Sequence, residues 1–169
     1  MPKLLISVTM IMALLAPLTA LATTGNMTDA DVQQQLAAVR QATAKYHDVD
    51  RALADGYSPV SPCEELPGVG AMGIHYLNPK LASDLTVDPF TPEVLLYVPS
   101  GNRLRLVGVE YFAANVGQPH PSLFGRAFDG PMAGHSPGMP EHYDLHVWIW
   151  QANPNGVFAV WNPTVRCGG

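Results

Sequence analysis

From Pro59 to its end, this chain is punctuated by proline and glycine every few residues, with β-branched and aromatic runs between them. Neither residue fits the interior of a helix or of a central strand. The pattern predicts short strands joined by turns and excludes a helical bundle. Candidate strands are Ala71 to Leu77, Glu93 to Val98, Arg103 to Phe112 and His142 to Gln151. Pro99-Ser100-Gly101-Asn102 reads as a hairpin turn between the second and third of these. Asn153-Pro154-Asn155-Gly156 reads as another, with Val157 to Trp161 as its returning strand. Asn115 to Pro140, rich in proline, is long for a structureless connection, and such loops are often functional, as a lid for example.

The region before Pro59 has a different period. Thr28 or Asp29 can cap a helix carrying Val32, Leu36 and Val39 on one face. The pattern runs on through Tyr46, Val49 and Leu53, with a break near His47-Asp48, and stops at Asp55-Gly56, where Gly56 supplies the left-handed terminator. The expected fold class is α+β: an amino-terminal helix or helix pair packed on a curved, mainly antiparallel β-sheet or small barrel.

The first 22 residues read as a secretory signal peptide. Lys3 is the basic start, Leu4 to Leu15 the apolar stretch, and Ala20-Leu21-Ala22 the small-x-small cleavage site. Residues 23–169 then form a single domain, large enough for a real core. Export suits the two cysteines, Cys63 and Cys167, which are expected to form a disulfide. A pair of metal-binding thiols is the alternative, though neither cysteine lies in a C-x-x-C pair. The net charge is −5 and no Lys/Arg cluster occurs, so neither nucleic acid nor an anionic membrane surface is an expected partner. Pro17 interrupts the early apolar run and no charged stop-transfer flank follows it, so no stable membrane insertion is expected once the signal is removed.

Chemistry concentrates in Pro140-Glu141-His142-Tyr143-Asp144-Leu145-His146-Val147-Trp148. As a strand it places His142, Asp144 and His146 on one face and Tyr143, Leu145 and Val147 on the other. His142 and His146 lie four positions apart, too far for easy joint ligation, so ligands from other strands are needed. Glu110 shares a parity with the apolar Leu104, Leu106, Gly108 and Phe112, where an unpaired carboxylate is costly. His75 shares a face with Ala71 and Gly73, which leave room for a ligand or a second backbone. His75, Glu110, His142 and His146 form a nitrogen and oxygen set suited to a divalent transition metal, zinc or copper foremost. Asp144 is expected to orient a ligand, and His135, near Met132 and Met139, is a possible extra ligand.

Plainer readings stand beside this one. The histidines can satisfy internal hydrogen bonds, Glu110 can pair with Arg103 or Arg105, and the methionines can fill the core. Alternatively the same polar face lines a small-molecule pocket walled by Trp148, Trp150 and Tyr76. His47 and His120 read as surface residues. No nucleophile elbow, phosphate-binding glycine loop or His-Glu-x-x-His motif occurs, so no catalytic residue is assigned.

Several segments resemble a family of small exported bacterial proteins of unknown function. They are Tyr46-His47-Asp48-Val49-Asp50, Ala54-Asp55-Gly56-Tyr57, Met72-Gly73-Ile74-His75-Tyr76, Glu110-Tyr111, His142 to Trp148, Asn153-Pro154 and Trp161-Asn162-Pro163. The resemblance implies export and a single domain, and carries no activity.

Overall fold

The computed structural model describes residues 27–168, so the signal-peptide reading of residues 1–22 lies outside the described residues. Helix α1 (Asp29–Thr43) begins at Thr28, whose hydroxyl accepts the Asp31 N–H while the Asp31 carboxylate accepts the Thr28 N–H. This reciprocal capping satisfies two of the donors a helix start leaves free. A 3-10 turn over Ala44–His47 follows, and helix α2 (Val49–Ala54) starts again at Asp48, whose carboxylate caps Asp50. The end of α2 is closed by Gly56 N–H to Leu53 and Tyr57 N–H to Ala52, with Gly56 at φ +96°. That pair of bonds requires a left-handed residue, which glycine supplies without strain.

The remaining elements are β1 (Ser58–Pro59), β2 (Glu64–Leu66), β3 (Gly70–Leu77), α3 (Pro79–Ser83), β4 (Val94–Ser100), β5 (Arg103–Ala114), β6 (Ser122–Leu123), β7 (Arg126–Ala127), β8 (Asp129–Met132) and β9 (His142–Val147). The main sheet is antiparallel in the order β1-β3-β4-β5-β9-β8, and β2 also pairs with β3. It stays open and does not close into a barrel. One face packs on the helices: Tyr97, Tyr111, Leu145 and Val147 meet Leu36, Val39 and Tyr46. The other face carries Ala71, Val94, Leu96, Phe112, Trp148 and Val165, with the disulfide Cys63–Cys167 packed against them. Burial on both faces explains why Val94-Leu95-Leu96-Tyr97-Val98 is apolar throughout, without alternation.

Three expectations need correction. Leu104 and Leu106 do not share a face with Glu110 and Phe112. Leu96 pairs with Gly108 and Tyr97 with Leu106, so Val107 is an extra residue that reverses the alternation. Leu106 therefore enters the helix-facing core while Phe112 lies on the opposite face. Val157 to Trp161 is not a strand paired with β9. After Val147 the chain stays on the bulge, where the Val107 carbonyl accepts Trp150 and Gln151 N–H. Asn162 then turns the tail onto Ala71 through two backbone hydrogen bonds of 3.1 Å. Finally, residues 115–140 hold β6, β7 and β8, and β8 extends the main sheet beside β9.

Candidate metal centre

His75, Glu110 and His146 come together on the face away from the helices. Glu110 and His146 are direct partners across β5 and β9. His75 lies two strands from Glu110, with Leu96 opposite it on β4 and Val94 opposite Glu110. The imidazole and the carboxylate reach toward each other over β4, and His75 Nε2 stands 3.3 Å from Glu110 Oε2. His146 Nε2 stands 3.7 Å from the same oxygen. One ligand atom from each of the three residues lies within 4.8 Å of the others. Gly108 makes room on this face, since a Cβ there would meet the Val147 carbonyl oxygen at 2.9 Å. Trp148 stacks beside His146.

The hydrogen bonds of Ser61 favour one tautomer of His75. The Ser61 hydroxyl donates to the Pro62 carbonyl, leaving its oxygen to accept the His75 backbone N–H at 3.1 Å. His75 Nδ1 is 2.9 Å from that oxygen, and with the hydroxyl donating to Pro62 it is the nitrogen that carries the proton. Nε2 is then a bare lone pair, and it faces a carboxylate oxygen. Two acceptors at 3.3 Å need a cation or a proton between them. Glu110 Oε2 and both ring nitrogens of His146 are buried without a hydrogen-bond partner.

Burial governs the protonation of the whole cluster. It pushes Glu110 well above the carboxylate range, and the charges of Asp144, Glu64 and Glu93 add to the effect. It lowers His75 to about 4 and His146 to about 3, with neighbouring imidazoles contributing to each. It raises Asp144 to about 7, helped by Asp129. The neutral forms are favoured throughout, because a charge buried without a counter-charge is unfavourable.

Cys63 and Cys167 are disulfide-bonded and are not thiol ligands. Asp144 sits on the far side of His146, with Oδ1 3.8 Å from His146 Nδ1. His142 lies one step further, its Nε2 3.8 Å from Asp144 Oδ2, and does not join the three-residue cluster. His135 is exposed and lines a cavity of about 640 Å³ together with His75, Glu110, Asp144, His146 and Trp161. Met132 lines this cavity, and Met139 lines a second, of about 560 Å³, that also reaches His75 and Glu110. Glu110 takes no arginine, and Arg105 bonds Gln151 instead. Tyr76 and Trp150 pack on the helix-facing side and are not pocket walls. His47 and His120 are exposed, but each has a partner: His47 meets the Trp150 ring, and His120 Nε2 lies 2.8 Å from the Phe128 carbonyl. A larger concavity of about 760 Å³, at His47 and the β4–β5 turn, gathers no ligand set.

Two contributors escape sequence reasoning. Ser61 is a lone serine beside a proline, with no motif around it. Glu64 reaches His75 Nδ1 at 3.9 Å, and its only signal is its place beside Cys63. No protein-family model, curated protein or solved structure matches the chain.

Proposed function

We propose that this is an exported metal-binding domain, holding a divalent transition ion through His75 Nε2, Glu110 and His146 Nε2. The observation that carries this reading is the buried convergence of three ligand atoms, two of which have no hydrogen-bond partner. Their spacing suits an ion. With bonds of roughly 2.0–2.1 Å, neighbouring ligand atoms around tetrahedral zinc lie about 3.3 Å apart. The separations of 3.3 and 3.7 Å from Glu110 Oε2 need little adjustment. Two imidazoles and a carboxylate favour zinc or copper over calcium or magnesium.

With three protein ligands, a bound zinc would keep a coordination position for water or substrate. That position suits activation of a bound water or a redox step, so the site supports a metalloenzyme as well as a carrier. The disulfide supports a location outside the reducing cytoplasm. Among the described residues no helix is long and apolar enough to cross a membrane. A non-catalytic small-molecule module is the second reading, favoured by the apolar wall of Leu77, Val94, Phe112 and Met139 beside Glu110.

Metal analysis of protein purified without chelator tests the proposal. Stoichiometric zinc or copper is expected, and adding either ion to stripped protein should raise the melting temperature. Metal-free protein whose melting neither ion changes would overturn it.

A further inference from the structure

We infer that a second metal position lies on the other side of His146, formed by His142 Nε2 and the Asp144 carboxylate, and that the exposed His135, whose ring nitrogens lie outside the 4.8 Å spacing of a formed ligand set, turns inward to complete it. His142 Nδ1 lies 3.1 Å from the Pro140 carbonyl, which can only accept, so Nδ1 carries the proton. Nε2 is again a bare lone pair, on a fully buried ring with no hydrogen-bond partner. It faces Asp144 Oδ2 at 3.8 Å, and Asp144 Oδ1 is also buried and unpartnered. This is a second pair of opposed acceptors, made of atoms that the first site does not use.

The surroundings fit a cation. Among the described residues the ion-pair partners of Asp144 are imidazoles alone. Asp129, opposite Asp144 on β8, adds negative charge. Phe112 stacks on His142 at 5.0 Å between ring centroids and holds the imidazole plane. The His135 ring lies 5.3 Å from that of His142, and it lines the same cavity as Asp144. His146 divides the two positions, with Nε2 toward Glu110 and Nδ1 toward Asp144. A nitrogen, a carboxylate and a second imidazole again suit zinc or copper.

Calorimetric titration of chelator-stripped protein with zinc alone is the test. Wild type should take up two zinc ions per chain. His135→Ala, at an exposed position, should keep the wild-type melting temperature, weaken one step about tenfold and leave the other. The near-isosteric Asp144→Asn should remove that same step, and Glu110→Gln the other one. A single zinc abolished by Glu110→Gln and unchanged in His135→Ala and Asp144→Asn would overturn this inference while leaving the His75–Glu110–His146 reading intact. A single zinc lost in Asp144→Asn but kept in Glu110→Gln would support the inference and overturn that reading. No uptake of zinc, and none of copper when the titration is repeated with that ion, would overturn both.

Discussion

Glu110 and His146 face each other in register across β5 and β9, and the oxygen and nitrogen that meet there, 3.7 Å apart, have no hydrogen bond. A buried polar atom without a partner costs roughly 1–3 kcal/mol. The fold retains several in one place.

Glu110→Gln should separate binding from stability. Like the protonated carboxyl of the metal-free protein, the amide can donate to a bare nitrogen of His75 or His146, and unlike it the amide cannot ionise to bind a cation. Thermal melts of metal-free protein should show an equal or higher midpoint, whereas zinc affinity should fall by about a hundredfold or more. A large loss of stability in the metal-free variant would mean that Glu110 is a structural anchor.

Binding should release a proton. Burial holds Glu110 protonated well above the usual carboxylate range, while His75, lowered to about 4, and His146, lowered to about 3, are already neutral near neutral pH. Zinc uptake therefore displaces about one proton from Glu110, and affinity rises with pH until that carboxyl ionises freely. Calorimetry in buffers of different ionisation enthalpy measures the number. A value of zero would contradict the assignment of Glu110 as a ligand.

Ser61→Ala should weaken zinc binding about tenfold and also lower the melting temperature, because it removes the acceptor of both the His75 Nδ1–H and the His75 backbone N–H. Ser61→Thr, which keeps the hydroxyl, should restore much of the affinity. Equal affinity in all three proteins would show that the tautomer of His75 is set by something else.

Glu93 offers a pH test away from the site. Burial raises it to about 7, although its carboxylate accepts the Phe112 N–H. A carboxyl with a raised pKa in the fold contributes stability below its unfolded value of about 4.5 and loses that contribution as pH rises through about 7. The full effect is on the order of 2–3 kcal/mol. Denaturant titrations from about pH 5 to about pH 8 should show a decline that Glu93→Gln reduces. An identical slope in the variant would place the titration elsewhere.

Reduction of Cys63–Cys167 should lower stability by about 2–5 kcal/mol, since the bond joins residues 104 apart in sequence. The double substitution Cys63→Ser/Cys167→Ser should match reduced wild type in a denaturant titration. A smaller loss would show that the Ala71–Asn162 backbone pair holds the tail without it.

The helix start, its break at Asp48 and its stop at Gly56 were legible because capping residues act locally and leave local signatures. The face carrying His142, Asp144 and His146 was legible because strand alternation is strict over so short a run. The meeting of His75 with Glu110 could be guessed only from residue type. Which strands neighbour each other depends on long-range pairing, and nothing near either residue records it. The bulge at Val107 was hidden for a similar reason: Arg103 to Phe112 alternates plausibly in either register, and only the pairing with β4 and β9 selects one. The returning strand failed because Asn162 bonds a β3 residue that lies 91 positions earlier, Ala71.

The disulfide also ties together two parts of the cavity lining that lie far apart in sequence. Ser61 and Glu64 form one side of the cavity and Val160 and Trp161 another, and Cys63–Cys167 joins these early and late segments. The Ala71–Asn162 backbone pair seats the late segment and the disulfide fastens it. An ion held there would therefore be enclosed by two segments that the disulfide holds together, and opening the disulfide would loosen that enclosure.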